Sequence, residues 1–153
     1  MFKILVATDG SEHAYRAADF AARLAGKISD AEITALSVLD PAVVSQAAVS
    51  PAGIPVTIPV TLSEDLQRAM EEVLQDTQQR LLAPGRTVST RLAHGKPALV
   101  IREIAEKEGF DLIVMGASGH GRIADILLGS VSDEVVHRSG VPVVIVRVKE
   151  ERR

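Results

Sequence analysis

The sequence predicts a single α/β domain, residues 1–153, folded as a three-layer doubly wound sandwich around a five-stranded parallel sheet. Two observations predict it. Short apolar runs alternate along the chain with segments of helical spacing, and strands that alternate with helices form parallel sheets covered on both faces through right-handed crossovers. The length of 153 residues also suits one domain with one full hydrophobic core.

A turn signal separates the first strand from the first helix. Phe2 to Ala7 is a short apolar run, and Asp9-Gly10-Ser11 has the composition of a turn. From Glu12 to Ile28 small apolar residues, mostly alanine, recur at helical spacing and predict one buried stripe that packs closely on the sheet. Ile33 to Leu39 is the second apolar run and the second predicted strand.

Residues 41 to 62 differ from the rest of the chain. They include no charged residue and four prolines, at positions 41, 51, 55 and 59. Because proline interrupts both helices and strand ladders, we expect an irregular loop. Loops of this length are uncommon inside compact domains and are often functional. Covering a ligand and joining a subunit contact are the two roles that we consider for it.

The second half of the chain continues the alternation. A second helix begins with Ser63 as its N-cap and ends at Pro84-Gly85. Helical spacing predicts its inner face as Leu66, Met70, Val73, Thr77 and Leu81. The remaining elements are a strand over Thr87–Ala93, a helix from Pro97 to about Gly109, a strand over Leu112–Met115, a loop over Gly116–Leu128, a helix over Gly129–Ser139 and a strand over Val141–Val148.

The glycine-rich stretch Gly116 to Ser132 is the candidate functional segment. Sheets of this class bind ligands at the carboxyl ends of strands near the switch point, here the ends of the first and fourth strands. Glycine directly after a buried strand allows a ligand to approach the backbone. Gly129 to Ser132 precedes a helix, whose free N–H groups and dipole favour phosphate, and Ser130 and Ser132 add hydroxyl donors. Such glycines and serines also occur in purely structural loops and caps, so that interpretation stays open.

The composition argues against several classes of protein. Hydrophobic residues make up 46% and charged residues 24%, as in soluble globular domains. The net charge is −3 and the basic residues are scattered, so no basic stripe indicates nucleic-acid binding. The absence of cysteine excludes disulfides and thiolate metal sites. No run approaches the ~18 apolar residues of a membrane helix. The opening residues 1–6 are typical of a strand and not of a signal peptide, so we expect a cytoplasmic protein without membrane contact.

Familiar catalytic and phosphate motifs fit the sequence poorly. Neither Gly26-Lys27-Ile28 nor Gly95-Lys96-Pro97 completes a Walker loop. Gly119-His-Gly121-Arg-Ile-Ala124 fits the dinucleotide pattern GxGxxA, but it follows the fourth strand, whereas that fingerprint follows the first. Gly116-Ala-Ser118-Gly-His120 lacks the second glycine of a nucleophile elbow. These segments therefore predict no dehydrogenase or hydrolase.

Two further alternatives fail on the spacing of acids and histidines. A signalling receiver domain would need clustered acids after the first strand, where only Asp9 is present. The histidines, at positions 13, 94, 120 and 137, are widely spaced without a paired-ligand pattern. We therefore predict no metal site of the protein's own.

Three segments in the same order resemble the universal stress protein family, in its ATP-binding branch. The spacing Gly116-x2-Gly119-x9-Gly129-Ser130 is similar to that family's nucleotide motif. The opening Ile4–Ser11, the segment Asp111–Gly116 and the ending Val141–Val146 also resemble it, and the resemblance covers essentially the whole chain. It implies an adenine nucleotide alpha hydrolase-like fold that binds ATP or another adenine nucleotide. Mg²⁺ is the ion that usually arrives with nucleotide phosphates.

The resemblance also implies roles for individual positions. It places the adenosine end at Ala7, Asp9 and Val38, the ribose and phosphates at Met115, Gly116 and Gly119, and the phosphate tail at Gly129, Ser130, Val131 and Ser132. His120 and Arg122 are further candidates to face phosphates, and Asp9 has an alternative role in ordinary turn chemistry. A homodimer through the last strand, residues 141–148, is implied as well; the alternative is a central buried strand.

The purpose of binding is either switching or slow ATP hydrolysis. Hydrolysis would need a base or a water-positioning group near the γ-phosphate. The motif stretch offers only His120, Arg122 and Asp125 for this task, and none is in a compelling position. We therefore predict a nucleotide-dependent switch or stress-response module without a catalytic residue, and keep a slow ATPase as the alternative.

Overall fold

Strands and helices alternate along the chain in the computed structural model, which describes residues 1–42, 52–55, 60–117 and 128–148, and only the backbone of residues 60–62. In these ranges the elements are β1 (Phe2–Ala7), α1 (Glu12–Ala25), β2 (Ala31–Leu39), α2 (Val60–Leu81), β3 (Thr87–His94), α3 (Pro97–Lys107), β4 (Leu112–Gly116), α4 (Ser130–Arg138) and β5 (Val143–Val146).

The strands form one parallel sheet in the order β3-β2-β1-β4-β5. From β1 the chain moves outward to β2 and β3, then returns past β1 to form β4 and β5 on the other side. The order of strands therefore reverses between β1 and β4, which makes this junction the switch point of a doubly wound sheet. The predicted fold class, with its five-stranded parallel sheet, is confirmed.

Two hydrophobic clusters cover the two faces of the sheet. Side chains of a strand point alternately to opposite faces, so Ile4 and Val6 of β1 join the cluster under α1 and α2, whereas Leu5 joins the cluster under α3 and α4. In α1 the buried residues are all alanines, at positions 14, 17, 18, 21 and 25. Their small side chains let α1 lie close to the central strands, as the alanine stripe predicts.

The first helix ends earlier than its spacing predicts. It stops at Ala25, and the amide groups of Lys27 and Ile28 then donate to Leu24 and Ala25, three residues back, at 3.0 and 3.2 Å. The chain has therefore tightened into a turn while the apolar spacing still continues. Apolar spacing alone does not show where the hydrogen-bond pattern changes.

The second helix corrects the prediction for residues 41 to 62. It begins at Val60, so Ser63 lies inside the helix and is not its N-cap, and residues 41 and 42 are also helical. Proline suits the first turn of a helix, where its missing N–H has no partner in any case. Pro41 therefore occurs where a helix begins, and Pro59 directly precedes one in sequence. Residues 43–51 and 56–59 lie outside the described residues.

The inner face of α2 is partly as predicted. Thr77 and Leu81 are fully buried, and Leu66, Met70 and Val73 are half-buried. Leu74, which the predicted stripe omits, is buried in the cluster with Ile4 and Val6. Because α2 crosses both α1 and the sheet, its buried stripe is wider than one row of residues.

The last strand is shorter than predicted and lies at an edge. It runs from Val143 to Val146 instead of 141–148, and it pairs only with β4 in the described sheet. The Ser139 hydroxyl donates to the Val141 carbonyl at 2.8 Å and accepts from the Val141 amide at 3.0 Å, which holds this residue in a turn. The edge position excludes the alternative of a central strand. In the described ranges, no helix combines the length and apolar character needed to cross a bilayer.

Charged side chains join α1 to α2 on the outer surface. Arg80 of α2 donates to both carboxylate oxygens of Asp19 at 3.0 and 3.1 Å, and its guanidinium lies 4.5 Å from the centre of the Tyr15 ring. Burial raises the pKa of Tyr15 and the nearby Asp76 carboxylate raises it further, while the Arg80 guanidinium acts in the opposite direction. Tyr15 therefore reports on the contact between these two helices.

Titration of the tyrosine absorbance tests this contact. The chain has one tyrosine and no tryptophan, so the signal belongs to Tyr15 alone. We expect a midpoint above the ordinary pKa of 10.0. The pKa of Tyr15 is higher in the folded chain than in the unfolded chain. Its contribution to the free energy of unfolding is therefore fully present below the unfolded pKa, and it is lost as the pH rises through the folded pKa.

The variant Asp76→Asn should lower the midpoint toward the ordinary value. Asp65→Asn, on the same helix, should leave it unchanged. A wild-type midpoint at or below the ordinary pKa would contradict the described contact.

Candidate functional site

The ends of β1 and β4 meet at the carboxyl edge of the sheet. Val6 lies opposite Val114, and the two strands end one and two residues later, at Ala7 and Gly116. The start of α4 is tied to the same place, because the Gly129 amide donates to the Ala117 carbonyl at 2.7 Å. The fold thus brings together three segments that are far apart in sequence: residues 8–11, 115–117 and 129–132.

Residues 8–11 form a compact structure that we call the Asp9 turn. The Asp9 carboxylate accepts from the Ser11 amide at 2.9 Å, and the Ser11 hydroxyl accepts from the Ala14 amide at 3.2 Å as the N-cap of α1. Gly10 has φ +78°, a conformation that favours glycine. The structural role of Asp9 is therefore present, and its role toward a ligand stays a prediction.

A buried hydroxyl holds the Asp9 turn against β2. Ser37 is fully buried and donates from its hydroxyl to the Thr8 carbonyl at 2.8 Å, while the Thr8 amide donates to the Leu36 carbonyl at 2.9 Å. Sequence reasoning did not single out Ser37. The available signal was a small polar residue inside an otherwise apolar strand. Val38, predicted for the adenosine end, follows at the same edge and is half-buried.

The close approach of α1 explains the glycine at the end of β4. A Cβ atom added to Gly116 would lie 2.7 Å from both the carbonyl carbon and the Cβ of His13. The absence of a side chain at 116 is therefore required by helix packing, whatever a ligand requires. Met115 is buried in the cluster under α3 and α4, and Ala7 lies in the same cluster. At Met115, Ala7 and Gly116, the backbone is the part that faces the edge.

His13 is a polar group at this edge that sequence reasoning left aside as a widely spaced histidine. Its Nδ1 atom is buried and has no hydrogen-bond partner in the described part of the chain. Burying an imidazole nitrogen without a partner costs free energy. The only signal in the sequence was its position two residues after the N-cap Ser11.

The first turn of α4 presents backbone donors. Gly129 is the N-cap and provides no side-chain cap. The amides of Ser130, Val131 and Ser132 precede the first helical bond, which the Asp133 amide donates to the Gly129 carbonyl at 2.9 Å. The positive end of the helix dipole lies at the same point. Ser130 is exposed and Val131 is half-buried.

The two serines of this turn have different surroundings. The Ser132 side chain is 3% exposed and donates from its hydroxyl to the Ala117 carbonyl at 2.8 Å, with the Gly129 carbonyl at 3.0 Å. Its hydroxyl proton therefore holds α4 to the end of β4. Ser130, which is exposed, is the serine whose hydroxyl faces solvent.

Some predicted positions lie outside the described residues. Gly119 is one of them, together with His120, Arg122 and Asp125. In the described ranges, no group of three or more histidine and acidic side chains is arranged to hold a metal ion.

The fold and this edge define a class: open, doubly wound α/β domains whose ligand sites lie at the switch point. The chain belongs to the universal stress protein family, whose model it matches over residues 1–147. It is 37% identical to universal stress protein MJ0531 of Methanocaldococcus jannaschii over 147 residues, 95% of this chain and 81% of that protein. It is 34% identical to universal stress protein YxiE of Bacillus subtilis over 148 residues, 95% of this chain and 98% of that protein.

Solved structures resemble the fold closely. The structure of hypothetical protein MJ0577 superposes with a TM-score of 0.80 at 29% identity, and the alignment covers 98% of both chains. That structure was a test case for assigning biochemical function from structure. A universal stress protein in complex with cAMP superposes with a TM-score of 0.68 at 27% identity, covering 95% of this chain and 96% of that one.

The packing at Gly116 is testable by substitution. Gly116→Ala should lower the free energy of unfolding by about 1–3 kcal/mol, because the new methyl group displaces the first turn of α1. The measurement is chemical denaturation. Gly140→Ala is the control, since a Cβ there meets only the flexible end of Glu106 at 3.3 Å, and it should change stability by less than about 0.5 kcal/mol. Equal effects of the two substitutions would contradict the packing argument.

Proposed function

We propose that this protein binds an adenine nucleotide, with ATP as the expected ligand, at the carboxyl edge between β1 and β4, and that it acts as a nucleotide-dependent switch in a stress response. One observation carries the proposal. The Asp9 turn and the first turn of α4 lie at the same edge, on the two strands that form the switch point. The similarity to the cAMP complex supports an adenine ligand.

Each segment of the edge would serve a different part of the ligand. Asp9, with the backbone of Ala7 and Val38, would hold the nucleoside end. The backbone of Met115 and Gly116 would border the ribose and the phosphates, as would Gly119, which lies outside the described residues. The amide groups of residues 130–132, together with Gly129 and the Ser130 hydroxyl, would hold the phosphate tail. Bound phosphates supply negative charge that the start of α4 stabilises.

The polar groups of the edge are suited to such a ligand. The first-turn amides of α4 are donors with no side-chain cap. A nucleotide brings phosphate, hydroxyl and ring nitrogen groups that pair with donors and acceptors of this kind. Mg²⁺ commonly binds through substrate phosphates and water, so a metal site made by the protein is not needed.

Binding without turnover is the form of the proposal that the edge supports. Phosphoryl transfer needs a group that activates or positions the attacking water. The three segments that form this edge, residues 8–11, 115–117 and 129–132, include one ionisable side chain, Asp9, and Asp133 directly follows them. Asp9 is assigned to the nucleoside end, and the Asp133 carboxylate lies 3.4 Å from His137 further along α4. A slow ATPase is the alternative function. We also propose a cytoplasmic location for the protein.

Replacing Asp9 tests the assignment of the nucleoside end. Asp9→Asn keeps a side-chain oxygen that can accept from the Ser11 amide, so the turn should fold while its charge is lost. We expect the Kd for ATP, measured by calorimetry, to rise about tenfold, equivalent to about 1.4 kcal/mol. The matched control is Asp30→Asn, which removes a carboxylate just before β2, at the opposite edge of the sheet, and should leave the Kd unchanged.

Two results would contradict the proposal. If mass spectrometry finds no adenine nucleotide released from the denatured protein, and calorimetry detects no binding of ATP, ADP or cAMP, nucleotide binding is wrong. If bound ATP is converted to ADP in a single-turnover experiment, the protein is an ATPase and not a switch alone.

A homodimer through β5 is part of the same proposal. The Ile113 amide donates to the Pro142 carbonyl at 2.9 Å, and the Ala117 amide donates to the Val146 carbonyl at 3.0 Å. Even-numbered residues of β5 therefore bond to β4, which leaves the N–H and C=O groups of Val143 and Ile145 facing the open edge. An apolar edge strand with such groups favours pairing with a second chain.

A proline placed on β5 tests the dimer. Ile145→Pro should convert a species of twice the chain mass into the monomer in light scattering, because proline removes the N–H that faces the open edge. Thr90→Pro is the control: it makes the same change at an exposed position of the opposite edge strand, β3, and should leave the dimer intact. A monomeric wild-type chain at micromolar concentration, or dissociation of both variants, would contradict pairing through β5.

A further inference from the structure

Helix α2 contacts the Asp9 turn through two residues one helical turn apart. At Gly10 an added Cβ atom would lie 2.7 Å from Cγ2 of Val73, so α2 packs directly on the turn's backbone. Four residues later the Thr77 hydroxyl lies 3.3 Å from the Thr8 hydroxyl and forms a hydrogen bond with it. Both residues flanking Asp9 in sequence are thus held by α2.

The contact is a buried polar network. Thr77 is 0% exposed and Thr8 is 6% exposed. The Thr77 hydroxyl donates to the Val73 carbonyl at 2.7 Å, and the Gly10 amide donates to the Thr8 hydroxyl at 3.4 Å. Because buried hydroxyls are costly to leave without partners, the network holds the turn and the helix in one relative position.

The same helix is attached further along α1. Arg80, three residues after Thr77, bonds to Asp19 and stacks on Tyr15. The contacts of Val73, Thr77 and Arg80 follow one side of α2. A displacement of the Asp9 turn would therefore have to move the whole helix and not only a single side chain.

We propose that α2 positions the Asp9 turn for the nucleotide through the Thr77 hydroxyl, so that occupancy of the site is coupled to the position of α2. This inference rests on the proposed function and names the element that the switch would move. Thr77 is a positioning residue: it touches Thr8 and not the ligand. Coupling is reciprocal, so a nucleotide that orders the turn must also stabilise α2.

Three variants of α2 separate positioning from general stability. Thr77→Val keeps the shape of the side chain and removes the hydroxyl, and Thr77→Ser keeps the hydroxyl and removes the methyl group. Leu74→Val shortens a buried neighbour on the same helix that packs against the sheet. Thermal denaturation ranks their stabilities, and calorimetry well below the melting temperatures gives the Kd for ATP.

We expect Thr77→Val to raise the Kd about five- to tenfold. Thr77→Ser should stay within about twofold of wild type, and Leu74→Val should lose stability without a change in Kd. In wild-type protein, ATP should slow amide hydrogen exchange in α2. If Thr77→Val does not fold, Thr77→Ala replaces it, because it also removes the hydroxyl, and it should raise the Kd to the same extent.

The outcomes distinguish the inference from the proposed function. If wild type binds ATP and Thr77→Val binds equally well, or if Leu74→Val weakens binding as much, the positioning role is overturned and nucleotide binding stands. If wild type binds no adenine nucleotide, the proposed function fails. The positioning role is then decided by hydrogen exchange of the Gly10 and Ser11 amides: faster exchange in Thr77→Val but not in Leu74→Val supports it, and equal exchange overturns it.

Discussion

β1 and β4 pair in parallel at the centre of the sheet, and this pairing joins the two halves of the molecule. β2 and β3 extend from one side of β1, and β5 extends from the far side of β4. The pairing also brings the Asp9 turn and the start of α4 to one edge, although more than a hundred residues separate them in sequence. The proposed site lies where the strand order reverses, at this contact.

Close packing around the pairing limits what the residues of the edge can do. Gly116 lacks a side chain because α1 lies against it, and the Ser132 hydroxyl is committed to the Ala117 carbonyl. Asp9 uses one carboxylate contact to shape its own turn. Residues that a motif assigns to a ligand thus also hold the fold together, so we expect substitutions at them to change stability together with the proposed binding. Ser130, exposed at the same helix start, is the position where the two effects separate.

Much of the fold could be predicted from spacing. Alternating apolar runs and helical stripes identified the order of the elements, because burial on one or two faces of a sheet imposes those periods. The predictions were wrong where one type of residue is compatible with two kinds of structure. Prolines predicted a loop through residue 62, but proline also suits helix starts, and α2 begins at Val60. Leu74 was missed because α2 packs against two neighbours and not one.

The candidate site was predictable to a similar extent. The glycine spacing and the strand ends pointed to one edge of the sheet, and the structure brings the predicted segments together there. A resemblance to the universal stress protein family, to which the chain is now shown to belong, assigned roles to their residues. No motif assigned a role at this edge to Ser37, Thr77 or His13, although helical spacing placed Thr77 on the inner face of α2. Their structural role depends on which strand or helix their side chains contact, and the sequence does not reveal the partner of a polar residue within an apolar stripe.

By itself, then, the sequence determined the alternation of elements, the family and the segments of the candidate site, since these follow from local periodicity and short motifs. Only the tertiary structure decided that Gly116 allows the close approach of α1, and that the Ser132 hydroxyl bonds to the fold while Ser130 faces solvent. It also decided that β5 lies at the edge of the sheet and that α2 holds the Asp9 turn. The physical reason is that these properties are contacts between residues distant in sequence, and such contacts depend on the packing of the whole sheet with its helices.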